Sequence, residues 1–172
     1  MKIILQDNMI VPGPDIHLVQ PRKILIMGLP GSGKTWLGER LSKILSKPYW
    51  DADVVRDIYN DWDFTVEGRE RQAQRMCRLA DLDLLSFTGF VCPTEETRRQ
   101  FQPHHIIWMD TIKEGRYQNT NKLFVAPDKY DVRITKWIDE NQLYKCLDGI
   151  NHGTTDTQNF LKELIQKLDK LL

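Results

Sequence analysis

The 172-residue sequence predicts an α/β fold: a parallel β-sheet with helices on both faces, three αβα layers in a single domain spanning 1–172. Three observations carry this. A five-residue apolar run at 23–27 (KILIM) ends at Gly28, as a buried strand does. The stretch 33–46 places Leu37, Leu41, Ile44 and Leu45 at i, i+4, i+7 and i+8, one apolar stripe of a helix. Strand-like and helix-like stretches then keep alternating, which is the pattern of parallel strands joined by crossovers.

Taken in order, residues 1–21 are a β-like extension. Runs at 2–5 and 9–11, alternation over 15–19 and the turn Pro12-Gly13-Pro14 point to a small hairpin or edge extension. After the strand at 23–27, the helix at 33–46 is stopped by Pro48, and 49–52 form a brief second strand. A second helix over 67–80 turns Ala73, Met76, Cys77 and Ala80 inward. Residues 82–91 hold a strand closed by Pro93, 94–102 a short helix, and 105–109 (HIIWM) a strand ending at Asp110. Residues 111–130 read as polar loop and 131–135 as a last strand. An amphipathic helix over 154–172 carries Leu161, Leu164, Ile165, Leu168 and Leu172 on one side.

Charge and composition narrow the function classes. Lys plus Arg and Asp plus Glu are each 24, so the net charge is zero. Chains that coat nucleic acid or anionic membranes are normally basic, so neither is expected as a partner and any anion site must be local. No apolar stretch approaches the ~20 residues that span a bilayer, and the N-terminus does not read as a signal peptide. Cys77, Cys92 and Cys146 are far apart and odd in number, which suits a reducing, cytoplasmic setting.

The motif that carries chemistry is Gly28-Leu29-Pro30-Gly31-Ser32-Gly33-Lys34-Thr35, a full match to G-x-x-x-x-G-K-[ST] between a strand and a helix. The glycines let the backbone turn its N–H groups inward as a nest for phosphate, and the following helix adds its positive end. Lys34 is placed for the β- and γ-phosphates of ATP, and the Thr35 hydroxyl for Mg²⁺. The fold expectation becomes a P-loop NTPase-type sheet.

Downstream, Asp51 and Asp53 lie two apart at a strand end and face the same side. One could accept a proton from an attacking hydroxyl while Arg56 holds an anionic acceptor; the bland alternative makes Asp53 the N-cap of a helix. Arg71, Arg75 and Arg78 share a helix face, where Glu67 and Arg71 could form a solvated i,i+4 pair. Arg69, in the first turn, opposes the helix dipole and so suggests an anionic ligand.

Together, GLPGSGKT, the DAD-x-x-R segment at 51–56, FT-x-x-x-R-x-x-Q-x-x-R at 64–75 and Phe90-Val91-Cys92-Pro93 resemble adenylylsulfate kinase over about residues 23–134. The resemblance implies ATP-dependent phosphorylation of the 3′-hydroxyl of adenosine 5′-phosphosulfate, a small-molecule substrate, in sulfate assimilation. It implies Asp53 as base with Asp51 in support, and Lys34 on the phosphates. It implies Arg56 and Arg69 on the acceptor's phosphosulfate and ribose, Phe64 on its adenine, Gln72 at a family Asn and Arg98 in the acceptor site. Phe124-Val125-Ala126-Pro127 matches a Y-E-x-P element near the sheet edge. The departures are Gly68 for Asp, Cys92 for Ser, Thr94 for Tyr, Thr97 for Asp, and a much shortened lid whose arginine helps clamp ATP.

Other features read as structural. Residues 106–110 mimic a Walker B strand but fit a core strand with a terminal Asp. His104 and His105, adjacent on a strand, face opposite ways and do not suit one metal site. Cys92 lacks a neighbouring base and reads as a small buried thiol. The final leucine stripe fits packing on its own sheet better than the seam of a homodimer, which stays open. Two alternatives remain: a P-loop kinase for another small hydroxyl compound or nucleic-acid end, and a nucleotide-binding module without turnover.

Overall fold

The computed structural model describes residues 2–4, 10–12, 20–150 and 157–170. At the start of the chain, β1 (Lys2–Ile4) and β2 (Ile10–Pro12) pair antiparallel in a two-stranded sheet of their own, with Ile3 opposite Val11. The expected hairpin is present in these strands; the alternating segment at 15–19 lies outside the described residues.

The main sheet contains β3 (Arg22–Met27), β4 (Tyr49–Asp51), β5 (Leu85–Gly89), β6 (His105–Met109) and β7 (Val132–Ile134). All pairs are parallel, in the order β4-β5-β3-β6-β7. The apolar run is thus the central strand, and its side chains alternate between two cores. Ile24 and Ile26 face one, with Leu37 and Leu41 of α1 (Lys34–Leu45), Leu143 of α6 (Glu140–Leu147) and Leu164 of α7 (Thr157–Asp169). Leu25 and Met27 face the other, with Val55 of α2 (Ala52–Tyr59), Met76 of α3 (Val66–Ala80) and Phe101 of α4 (Glu95–Phe101). Helices on both faces make the three layers.

The structure corrects several boundaries. Residues 52–59 form α2, where the sequence reading assigned no bounded helix, because the Asp51 side chain accepts the N–H groups of Asp53 and Val54 and starts a helix there. A short α5 (Gln118–Leu123) interrupts the expected loop at 111–130. Helix α6 was not anticipated: its stripe is only Leu143 and Leu147, but Asp139 and Gln142 form a capping box. The strand expected over 82–91 shortens to β5, leaving Leu82 and Leu84 exposed. On α7, Leu161, Leu164 and Leu168 are buried within the chain, so that face is not free for a dimer seam; Leu172 lies outside the described residues.

Because β5 and β6 flank β3 on opposite sides, the crevice at the carboxyl ends of these strands opens directly above the loop that follows β3. Among the described residues, no helix is long and apolar enough to cross a membrane.

Candidate active site

The loop after β3 turns sharply into α1. Gly28 is required there, since a Cβ would stand 2.4 Å from the Met109 carbonyl oxygen. Gly33 has φ 95° and precedes α1 with no side chain capping the helix, so its first N–H groups remain for an anion. Lys34 Nζ donates to the Leu29 carbonyl at 2.9 Å. Burial pushes the Lys34 ammonium down to about 8, against the opposing pull of Asp53 and Asp51 and with the repulsion of Arg116. A half-buried cation whose hydrogen bond is to a backbone carbonyl gains strongly from a phosphate oxygen.

Thr35 Oγ1 donates to Asp51 Oδ2 at 2.8 Å, and the Tyr49 hydroxyl donates to the same oxygen at 3.0 Å. Asp51 Oδ1 accepts the Asp53 N–H at 2.9 Å. Asp51 is therefore the cap and the support, and Asp53 sits in the first turn of α2, not on the strand. This removes the alternative in which Asp53 is the helix cap. The Asp53 carboxyl is shifted up, first by burial and then by the charge of Asp51, with Lys34 and Arg56 opposing. Such a carboxylate is poised to accept a proton. Among the described residues, no group of three or more His, Cys, Asp or Glu could hold a metal. Mg²⁺ would suit this site as a partner of the Thr35 hydroxyl and phosphate oxygens, the usual preference of that ion.

A cavity of about 660 Å³ joins this loop to a second wall that includes Asp53, Arg56, Phe64, Arg69 and Gln72. The Arg56 guanidinium, 5% exposed, donates to the Asp61 and Asp63 carbonyls at 2.8 and 3.0 Å. Arg69 Nε donates to the Phe64 carbonyl at 2.9 Å, and its Nη2 to Thr120 Oγ1 at 3.3 Å. The Phe64 ring, 51% exposed, lies 4.6 Å from the Arg56 guanidinium and 5.5 Å from that of Arg69. Gln72 donates to the Ala52 carbonyl at 3.1 Å and so ties α3 to the turn that carries Asp53. The candidate residues Lys34, Thr35, Asp51, Asp53, Arg56, Phe64, Arg69 and Gln72 all line this one cavity.

A family profile described as Adenylylsulphate kinase matches residues 20–145. The chain belongs to the adenylylsulphate kinase family. Among solved structures, the complex of Mycobacterium tuberculosis APS kinase CysC with AMPPNP and APS is similar in fold, with a TM-score of 0.59 at 16% identity, covering 73% of this chain and 94% of that one. The curated relatives bear another name. A shikimate kinase of Haemophilus influenzae (strain PittEE) is 25% identical over 176 residues, covering 90% of this chain and 96% of its own. A shikimate kinase of Pasteurella multocida is 29% identical over 119 residues, covering 61% of this chain; this chain spans 66% of that relative's length. These comparisons support a small-molecule P-loop kinase.

Within this adenylylsulphate kinase family member, one expected acceptor residue stands elsewhere. Arg98 does not line the cavity; its guanidinium donates to the Cys92 and Val125 carbonyls at 3.2 and 3.1 Å. It fastens the 124–127 segment to the end of β5, and the Val125 N–H to Pro93 carbonyl bond at 2.7 Å completes the clamp. Nor does Arg71 pair with Glu67: it reaches Asp61 and Asp63, and Arg75 reaches Asp61, because the α2–α3 turn brings those carboxylates over the helix face. Gly68 has a steric reason, since a Cβ there would stand 2.4 Å from the Asp63 carboxyl carbon, leaving no space for the family's Asp. The Cys92 thiol is fully buried and pushed up to about 12 by burial, which leaves it unreactive. His104 accepts from the Lys23 N–H while His105 pairs with Asp131, so the two histidines do serve different neighbours. Asp110 pairs with Arg133 and Lys113.

Several cavity residues escaped the sequence reading, Arg116 and Trp137 among them. Arg116 lies in the loop between β6 and α5, which Asn121 pins through two bonds to Gly115, at 2.9 and 3.0 Å, and which packs on Pro30. It was hidden in a polar stretch without periodicity. Trp137 follows β7, inside the profile match but beyond the motifs read at about 23–134, and no spacing singles it out.

Proposed function

We propose that this kinase transfers the γ-phosphoryl group of ATP to the 3′-hydroxyl of adenosine 5′-phosphosulfate, in the cytoplasm and with Mg²⁺, as a step of sulfate assimilation. The observation that carries the reading is the shared cavity: a phosphate loop at one end, a half-exposed Phe64 backed by Arg56 and Arg69 at the other, and Asp53 between. The loop N–H groups and Lys34 hold the triphosphate and offset charge as the phosphoryl group moves. Asp53 takes the proton of the acceptor hydroxyl, and Asp51 fixes its helix turn. Phe64 offers an apolar face to adenine, and Arg69 a planar cation to the phosphosulfate. The Thr35 hydroxyl would hold Mg²⁺, which would supply charge neutralisation to the phosphates. Arg116 supplies a cation from the short loop, in place of a long lid.

A second reading, shikimate as acceptor, draws on the curated relatives; an arginine wall also suits a carboxylate. Phe64 favours the first reading, because a half-exposed ring near two guanidiniums offers stacking that a polyhydroxylated ring uses poorly. ADP release with ATP·Mg²⁺ against adenylylsulfate, AMP and shikimate separates them. Turnover with adenylylsulfate is expected, with AMP weaker; turnover with shikimate alone overturns the proposal while leaving a P-loop kinase.

A further inference from the structure

The cavity has an end that the acceptor does not need. Trp137 stands on the β7–α6 connection with 60% of its surface exposed, yet its ring lies against the phosphate loop: a Cβ on Gly33 would meet Trp137 Cζ3 at 2.7 Å. The segment carrying it is anchored on both sides. Strand β7 precedes it, and the capping box of α6 follows, with Asp139 accepting from the Asn141 and Gln142 N–H groups. Arg40 of α1 pairs with Glu140 at 3.2 Å and stacks over Trp36 at 4.3 Å, which ties α6 to the helix that begins in the phosphate loop. A large aromatic held rigidly by its neighbours but left bare toward a cavity is a stacking surface.

The chemistry of this end is narrow. Beyond Lys34 and Thr35, the lining residues from the phosphate loop, α1 and the β7–α6 connection offer no side-chain hydrogen-bonding group except the indole N–H of Trp36 and Trp137. Arg116 of the neighbouring loop adds a guanidinium, a donor only, so a base there meets rings and one cation and not a matched set of donors and acceptors that reads its edge. Stacking is tolerant, since every base has a π-face, whereas discrimination by an edge requires matched polar partners.

We propose that Trp137 is the stacking platform for the base of the phosphate donor, and that the enzyme therefore discriminates weakly among purine nucleotides, using GTP as well as ATP. This rests on the reading of 28–35 as a nucleotide triphosphate site, and the test separates the two. Titration calorimetry of the full chain with ADP, GDP and inorganic tripolyphosphate, each with Mg²⁺, needs no acceptor. In the wild type, ADP and GDP are expected to bind within about tenfold of each other. Trp137→Ala is expected to weaken both by about five- to a hundredfold, the usual worth of one base stack, and Trp137→Phe to restore most of that. Tripolyphosphate binding is expected to be unchanged in all three proteins, which shows that the phosphate loop has kept its shape. A Trp137→Ala protein that binds ADP as the wild type does overturns the platform. A wild type that binds ADP far more tightly than GDP, by over about a hundredfold, overturns the weak discrimination. Failure of the wild type to bind any of the three ligands overturns the underlying nucleotide-site reading instead.

Discussion

The two ends of the cavity are built by different means. The phosphate end is made of backbone: glycine turns, uncapped helix N–H groups and one lysine held by a carbonyl. The proposed acceptor end is made of side chains already committed to fixed partners, with Arg56 on two carbonyls, Arg69 on the Phe64 carbonyl and Thr120, and Gln72 on the Ala52 carbonyl. A backbone site tolerates change around it and is carried by eight consecutive residues. A side-chain site fails if any member moves, and its identity as an acceptor site depends on partners scattered from residue 51 to residue 120.

The largest expected effect falls where the two ends meet. Asp53→Asn keeps the shape and removes the proposed base, and should lower kcat by about 10²–10⁴ while ATP affinity barely changes. An equal loss of ATP binding in calorimetry would move Asp53 to the phosphate end. Lys34→Ala should lower kcat/KM by about 10²–10³, or roughly 2–4 kcal/mol, because it removes charge compensation in the transition state. Steady-state rates unchanged by that substitution would break the assignment of the backbone end. Arg69→Ala should raise KM for adenylylsulfate by roughly ten- to a hundredfold and leave KM for ATP almost untouched, as a single charge-assisted contact predicts. A parallel rise in both would mean that the two ends are one mechanical unit.

A smaller effect comes from pH. The Lys34 ammonium, pushed down to about 8 by burial, loses its proton at lower pH than an ordinary lysine. Phosphate prefers the protonated form, so triphosphate affinity is full below that value. Above it, affinity should fall by about tenfold per pH unit, as proton linkage requires. Calorimetry between pH 7 and pH 10, values chosen to lie roughly either side of the shifted lysine, tests this. A flat profile for the wild type, matching that of Lys34→Arg, would show that the lysine does not carry the binding.

The same division explains what could be read from the sequence. The phosphate loop, central strand and first helix depend on neighbours in sequence, and their spacing alone places them. Asp51 and Asp53 were legible as a pair, but which one caps α2 depends on where the strand stops, a tertiary matter. Arg98 matched a motif position, yet its guanidinium answers to the Cys92 and Val125 carbonyls, and the latter lies 27 residues away. Arg116 and Trp137 carry no periodic or spacing signal; only the packing of their loops on Pro30 and Gly33 brings them to the cavity.

The central claim is that the acceptor wall of this kinase is made for an adenylylsulfate, and a competition assay tests it most directly. Equal concentrations of adenosine 5′-phosphosulfate and shikimate are offered together with γ-labelled ATP and Mg²⁺, and the label in each product is counted. The account predicts label almost wholly in 3′-phosphoadenosine 5′-phosphosulfate, with Arg69→Ala reducing that preference. Label in shikimate phosphate, with none in the nucleotide, would contradict it.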